Sequence, residues 1–192
     1  MTRTIIAAVS GAVTLYIWGM ASWMLLGIHD GTLHELRGEE NVIDVLEAWE
    51  MPTGTYVAPF PPEDTGDAEA VKEFTRRHQA GPLVTIVYTK EGSDPMTPSM
   101  MVNGFVLDLT ATAISAYLLT LTLVGRPNYA KRVLIVFLMG LLAAAISYMA
   151  LWNWMLFPFD FVGAMVLDVA IGWLLCGLVQ AAIVKPPAMD ET

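Results

Sequence analysis

The chain has 192 residues, 55% of them hydrophobic, a mean hydropathy of +0.54 and a formal net charge of -9. Apolar and acidic character of this degree coexist only if the charge is segregated, which excludes an ordinary soluble domain with charge spread over its whole surface. The single cysteine, Cys176, excludes an internal disulfide, and the acidic surplus disfavours nucleic acid and anionic lipid surfaces as partners.

The charge is indeed segregated. Residues 4–28 and 133–152 contain no charged side chain, residues 96–125 contain only Asp108, and residues 161–184 contain only Asp168. A helix needs about 20 apolar residues to cross a hydrocarbon core, and each stretch supplies them. The pattern predicts a mostly α membrane protein. It has four transmembrane helices, at 4–28, 99–124, 133–152 and 161–184, and a small α/β extracytoplasmic domain at 29–98 between the first and second.

The first run follows Met1-Thr2-Arg3 and invites comparison with a signal peptide. It is longer than an ordinary signal core, and its small-x-small pattern, Gly19-x-Ala21, lies inside the run rather than after it. It reads as a retained signal-anchor helix. Orientation follows from the short basic segments. Arg3 precedes the first run, Arg126, Lys131 and Arg132 join the second to the third, and Lys185 follows the fourth. The 152–160 connection carries no base. Both termini and the tail Lys185–Thr192 are expected in the cytoplasm of a bacterial inner membrane, with the large domain in the periplasm.

Between the first and second runs, residues 29–95 hold fourteen acids against five bases. Gly38-Glu39-Glu40-Asn41 reads as a helix start with acids in its first turn, where they suit the helix dipole. Val42, Val45, Leu46 and Trp49 recur at helical spacing, and Pro52-Thr53-Gly54 ends that helix. Thr55–Phe60 reads as a short strand. Asp67 is a candidate N-cap for a helix through His78, closed by Gly81-Pro82. Leu83–Thr89, rich in β-branched residues, reads as a second strand. The order is helix, strand, helix, strand, with too few apolar residues for a large core, so this domain is expected to rest on the membrane part or on another subunit.

Two histidines leave the first helix in the run His29-Asp30-Gly31-Thr32-Leu33-His34-Glu35. Positions i and i+5 do not share a helix face, and a metal normally takes three or four ligands. The run reads as an interfacial turn with solvated or capping side chains rather than a metal site. The aspartates inside the second and fourth runs are more informative, because a carboxylate in a membrane span costs on the order of a few kcal/mol. Each lies about nine residues into its span, roughly 13 Å at helical rise. Ser22 on the first helix and Ser147 and Tyr148 on the third are expected in the same outer half. Together with Asp108 and Asp168 they are the intramembrane polar candidates. No Lys or Arg lies in any span, so the acids are expected to be protonated, hydrogen-bonded to those hydroxyls or paired with another subunit. Interhelical hydrogen bonding is the favoured reading, and a proton site is the alternative. A short echo, Val106-Leu107-Asp108 and Val166-Leu167-Asp168, is too brief to indicate duplication.

Trp152, Trp154, Phe157, Phe159 and Tyr148 cluster at one end of the third helix and read as an interface belt, which leaves room for lipid or pigment contact. Ala7-x-x-x-Gly11 and Gly140-x-x-x-Ala144 permit close helix approach. Phosphate-loop, dinucleotide, haem-attachment and nucleophile-elbow signatures are missing from the sequence, and no catalytic constellation can be assembled.

The run Ser22-Trp23-Met24-Leu25-Leu26-Gly27-Ile28-His29, followed by Gly54-Thr55-Tyr56-Val57-Ala58-Pro59, resembles a widespread family of small uncharacterised bacterial membrane proteins. The resemblance implies four membrane helices and carries no activity. It further suggests an accessory subunit of a phototrophic reaction-centre complex. The expectation is therefore a non-catalytic accessory subunit of a larger, bioenergetic membrane complex, with no cofactor of its own. Its expected partners are other membrane subunits and a basic soluble protein at the acidic domain. The alternative is a small stand-alone transporter or proton-coupled protein using Asp108 and Asp168.

Overall fold

Uncharged runs become helices in the computed structural model of the protein, which describes residues 1–186; the last residues of the expected cytoplasmic tail lie outside the described residues. The elements in chain order are α1 (Thr2–Met24), α2 (Glu39–Ala48), β1 (Gly54–Ala58), α3 (Ala68–Ala80), β2 (Val84–Tyr88), α4 (Pro98–Leu121), α5 (Tyr129–Ala144), α6 (Ala150–Met155) and α7 (Phe159–Ile183). A 3-10 turn, Thr122–Gly125, extends α4, and a π-helical turn, Ala145–Met149, joins α5 to α6. Among the described residues, four helices are thus long and apolar enough to cross a membrane: Thr2–Met24, Pro98–Gly125, Tyr129–Met155 and Phe159–Ile183. The chain divides into two units, one made of Met1–His34 with the chain from Met96 onward, the other of Glu35–Pro95.

In the first unit α4 lies beside α1, α1 beside α7, and α7 beside α5. Small residues make these approaches close, as is usual where helices meet in lipid without a hydrophobic drive between them. Ala7, Ala8, Gly11 and Ala12 form the buried stripe of α1. A Cβ added at Gly11 would stand 2.9 Å from Gln180 Nε2 and 3.1 Å from Cys176 Sγ. Gly140 of α5 receives the Trp173 side chain of α7, and a Cβ there would run into Trp173 Cβ and Cγ. Both small-x-x-x-small pairs therefore sit at true helix contacts. The outward faces carry Ile5, Ile17, Leu107, Ile114, Leu142 and Leu167, all exposed, as a lipid-facing surface requires.

Local chemistry explains where the spans begin and end. Thr97 caps α4 by accepting from Met100 N, with Pro98 in the first turn. Asn128 Oδ1 accepts from Lys131 N at 2.9 Å, so the third span starts at Tyr129 rather than at 133. That span also runs past 152 to Met155, through the π-helical turn. The first ends at Met24 rather than 28. The amides of Leu25 and Leu26 both turn onto Ala21 O, and Gly27 takes a φ of +63°, a left-handed conformation that glycine adopts freely.

The second unit is a two-stranded antiparallel sheet with two helices. β1 and β2 pair from Gly54↔Tyr88 to Ala58↔Val84, with α3 between them in sequence. Asp67 caps α3 as expected, its Oδ1 accepting from Glu69 N at 3.0 Å and Ala70 N at 3.1 Å. Gly81 ends the helix at a φ of +64°. Thr53 Oγ1 accepts from Lys90 N at 3.0 Å and Tyr56 Oη donates to Pro52 O at 2.6 Å, which fixes the open end of the strand pair. No residue from 35 to 95 is buried. A two-stranded sheet of this kind is marginal by itself in water.

Candidate functional site

The segment after α1 does not stay in solvent. His29 is only 6% exposed. Its imidazole lies flat on the Trp23 indole, ring centroids 3.8 Å apart and planes 8° from parallel. Its Nε2 is 3.7 Å from Asp168 Oδ2 of α7. His34, five residues on, places Nε2 3.9 Å from Asp160 Oδ2 near the start of the same helix, and this second pair is exposed. The solvated interfacial turn expected for both histidines therefore holds for His34 and is corrected for His29. Early termination of α1 at Met24 lets the following chain run beside α7. Among the described residues no three His, Cys, Asp or Glu side chains gather as a metal site would require.

Asp108 and Asp168, which share the Val-Leu-Asp echo, line one cavity of about 380 Å³ between α1, α4 and α7. Its walls include Leu15, Tyr16, Trp18 and Trp173. Trp18 Nε1 donates to the Asp168 main-chain oxygen at 3.0 Å, which holds α1 against α7 at this level and leaves the carboxyl group free of that bond. Tyr16 packs edge-on against Phe105 and donates from its hydroxyl towards Met101 O at 3.4 Å. Three glycines, Gly19, Gly104 and Gly172, one on each helix, also line the cavity. Neither ring nitrogen of His29 and not the Oδ1 of Asp168 has a hydrogen-bond partner among the described residues, although all three atoms are buried.

The expected layer of hydroxyls around the aspartates is not formed. Ser22 is fully buried, but its Oγ donates to Gly19 O of its own helix at 3.1 Å. Ser147 is exposed and Tyr148 half-buried, both within the π-helical turn, and neither lines the cavity. The intrachain partner that the absence of Lys and Arg appeared to exclude is His29, supplied from outside the helices.

Nearer the other end of the bundle stands a polar knot that sequence reasoning passed over. Gln180 of α7 is fully buried. Its Nε2 donates to Thr112 O at 2.8 Å and to Ala7 O at 3.5 Å, and its Oε1 accepts from Ser115 Oγ at 2.8 Å. Thr112 Oγ1 lies 2.9 Å from Ala8 O across the α1–α4 contact and 2.7 Å from Asp108 O within its own helix. A strong hydrogen-bonding side chain in an otherwise apolar run was the available signal. Arg132 is likewise buried, with Nη2 donating to Ala181 O at 3.1 Å and Nη1 to Pro127 O at 2.6 Å. It thereby satisfies a last-turn carbonyl of α7, and Tyr129 Oη donates to Leu178 O one turn earlier at 2.9 Å. Its position in a short basic loop had suggested only an orientation signal.

The fold and the intramembrane cavity define a multi-pass membrane protein with four spans. No protein-family model matches the chain, and neither a curated protein nor a solved structure matches it.

Proposed function

We propose that the chain is a non-catalytic accessory subunit of a larger bacterial membrane assembly, bioenergetic in kind, in which residues 35–95 meet neighbouring subunits. The observation that carries this reading is that the unit Glu35–Pro95 orders two helices and a sheet without one buried residue. Trp49, Phe60 and Val87 are 67%, 70% and 76% exposed. Ordering a backbone costs about 1–2 kcal/mol per residue, and a unit without an interior needs an external surface to offset it. The excess of acids in this segment suits a basic soluble partner, such as a cationic cytochrome, by electrostatic steering. The bioenergetic assignment, including a place in a phototrophic reaction-centre complex, draws on the resemblance carried by Ser22–His29 and Gly54–Pro59. In this reading the basic ends of the spans face the cytoplasm and residues 35–95 face the periplasm. The test is purification from the native membrane in mild detergent through a tag, with mass spectrometry of what accompanies it. Stoichiometric recovery with the subunits of one electron-transfer or light-harvesting complex supports the reading. A monodisperse homo-oligomer without partners overturns it.

The His29–Asp168 pair favours a second reading, a stand-alone proton-coupled membrane protein or transporter. A buried imidazole 3.7 Å from an intramembrane carboxyl can hold or hand over a proton. Asp108→Asn and Asp168→Asn separate the readings, because an amide replaces a protonated acid in hydrogen bonding but carries no proton. Intact assembly with intact activity favours the accessory subunit. Intact assembly with loss of a proton-coupled activity favours the transporter.

A further inference from the structure

We propose that the cavity between α1, α4 and α7 is a binding site for an organic ammonium ion, either a quaternary amine or a protonated amine with compact apolar substituents. The inference stands on the geometry of one bundle and does not depend on whether residues 35–95 dock on a partner.

The cavity measures about 380 Å³. That falls within the range of roughly 300–1,000 Å³ typical of small-molecule sites. Its polar side chains with formal charge are two carboxyl groups, Asp108 and Asp168, and its lining contains no Lys or Arg. Its walls present Tyr16, Trp18 and Trp173. Carboxylates beside aromatic rings recognise an alkylated cation by charge and by the ring quadrupole together, and they discriminate against a neutral molecule of the same shape. Hydrated inorganic cations have no use for the three indole and phenol walls.

Asp168 is held from the far side by a second side chain. His29 is nine-tenths or more buried, with no hydrogen bond to either nitrogen, and its Nε2 faces the Asp168 carboxyl from 3.7 Å, beyond hydrogen-bond distance. Asp168 Oδ1 is buried and also lacks a hydrogen bond among the described residues. His29 lies outside the cavity lining, so Asp168 is the member of this pair that borders the cavity. A Cβ added at Gly19 would meet nothing within 4 Å, so this wall opens on free space, whereas the space beside Gly172 is taken by the Trp18 ring, 2.8 Å from where a Cβ would stand.

The test uses the full chain in phosphatidylglycerol nanodiscs, with choline as probe and 3,3-dimethyl-1-butanol as its neutral isostere, read by calorimetry and tryptophan fluorescence. Saturable binding of choline is expected, with none for the neutral alcohol. Asp168→Asn and Gly19→Leu, one removing charge and the other filling space, are each expected to weaken choline by about tenfold or more. The two variants keep the test decisive if one of them fails to fold. In phosphatidylcholine nanodiscs, unchanged choline affinity assigns the site to a free cation, and competition assigns it to the lipid headgroup. Absence of saturable choline binding, equal binding of the neutral alcohol, or undiminished binding in the folded variants would overturn the proposal.

Discussion

His29 Nε2 stands 3.7 Å from Asp168 Oδ2 while the flat of the imidazole rests on Trp23. One side chain thereby joins the segment after α1 to the middle of α7. If the pair is energetically coupled, a double-mutant cycle of His29→Ala and Asp168→Ala in detergent should give an interaction energy of about 1–2 kcal/mol, since residues in one buried polar pair do not behave additively. Each single variant should lower the thermal unfolding midpoint. Additive effects would mean that the two side chains merely lie near each other.

Three glycines in spans should respond to alanine in a fixed order. Gly140→Ala places a methyl group against Trp173 and must separate α5 from α7, so a loss of about 1–3 kcal/mol is expected, with misfolding at the upper end. Gly11→Ala meets Gln180 Nε2 at 2.9 Å and Thr112 Cβ at 3.2 Å, and should destabilise less, because the Gln180 amide is the far end of a flexible side chain. Gly19→Ala meets nothing and should be neutral or slightly stabilising. Thermal unfolding of the three variants in one detergent checks the order, and a Gly140→Ala variant as stable as Gly19→Ala would contradict the α5–α7 contact.

Gln180→Leu should destabilise the bundle by about 1–2 kcal/mol, because Ser115 Oγ loses its acceptor and Thr112 O its donor from α7. Gln180→Asn, which keeps the amide but shortens the reach, should lose less than Gln180→Leu, and thermal unfolding of the two variants in one detergent checks the order.

On α3, Arg76 donates from Nε and Nη2 to the two Glu73 carboxyl oxygens at 2.7 Å each. This hydrogen bonding, above all, holds the Glu73 carboxyl below the ordinary glutamate range. A folded-state value lower than the unfolded one stabilises α3 above the unfolded value, and the contribution is lost as pH falls through the folded value. Carbon-detected NMR should place the Glu73 midpoint below that of Glu73 in Arg76→Ala. Equal midpoints would show that the pair does not persist in solution.

A reporter fused after Thr192 should report from the cytoplasm if the basic loops set the orientation, with a tag inserted near Gly92 reporting from the periplasm. The reverse pattern would sink the assignment.

Much of this architecture is legible in the sequence because its signals are local. Asp67 caps α3 through its own side chain, Gly81 ends it through backbone freedom, and charge-free runs declare the spans. Asp108 and Asp168 stand out because a carboxyl in a span is conspicuous, and they do share a cavity. What stayed hidden depends on contacts between distant segments. His29 reads as a surface residue until α1 is seen to stop at Met24 and the chain to follow α7. Arg132 reads as loop charge until the C-terminal turn of α7 arrives above it. Trp18, Tyr16 and Trp173 look like ordinary span aromatics because nothing in their spacing says which face of each helix borders a cavity.

The central claim is that the unit Glu35–Pro95 gains its missing cover from other subunits, and hydrogen–deuterium exchange tests it most directly. Exchange should be followed through residues 35–95 in the native membrane assembly and again in the chain purified alone. The account predicts slow exchange of β1, β2 and the apolar side of α2 in the assembly, and fast exchange across the same elements in the isolated chain. Equal protection in the two preparations would contradict it.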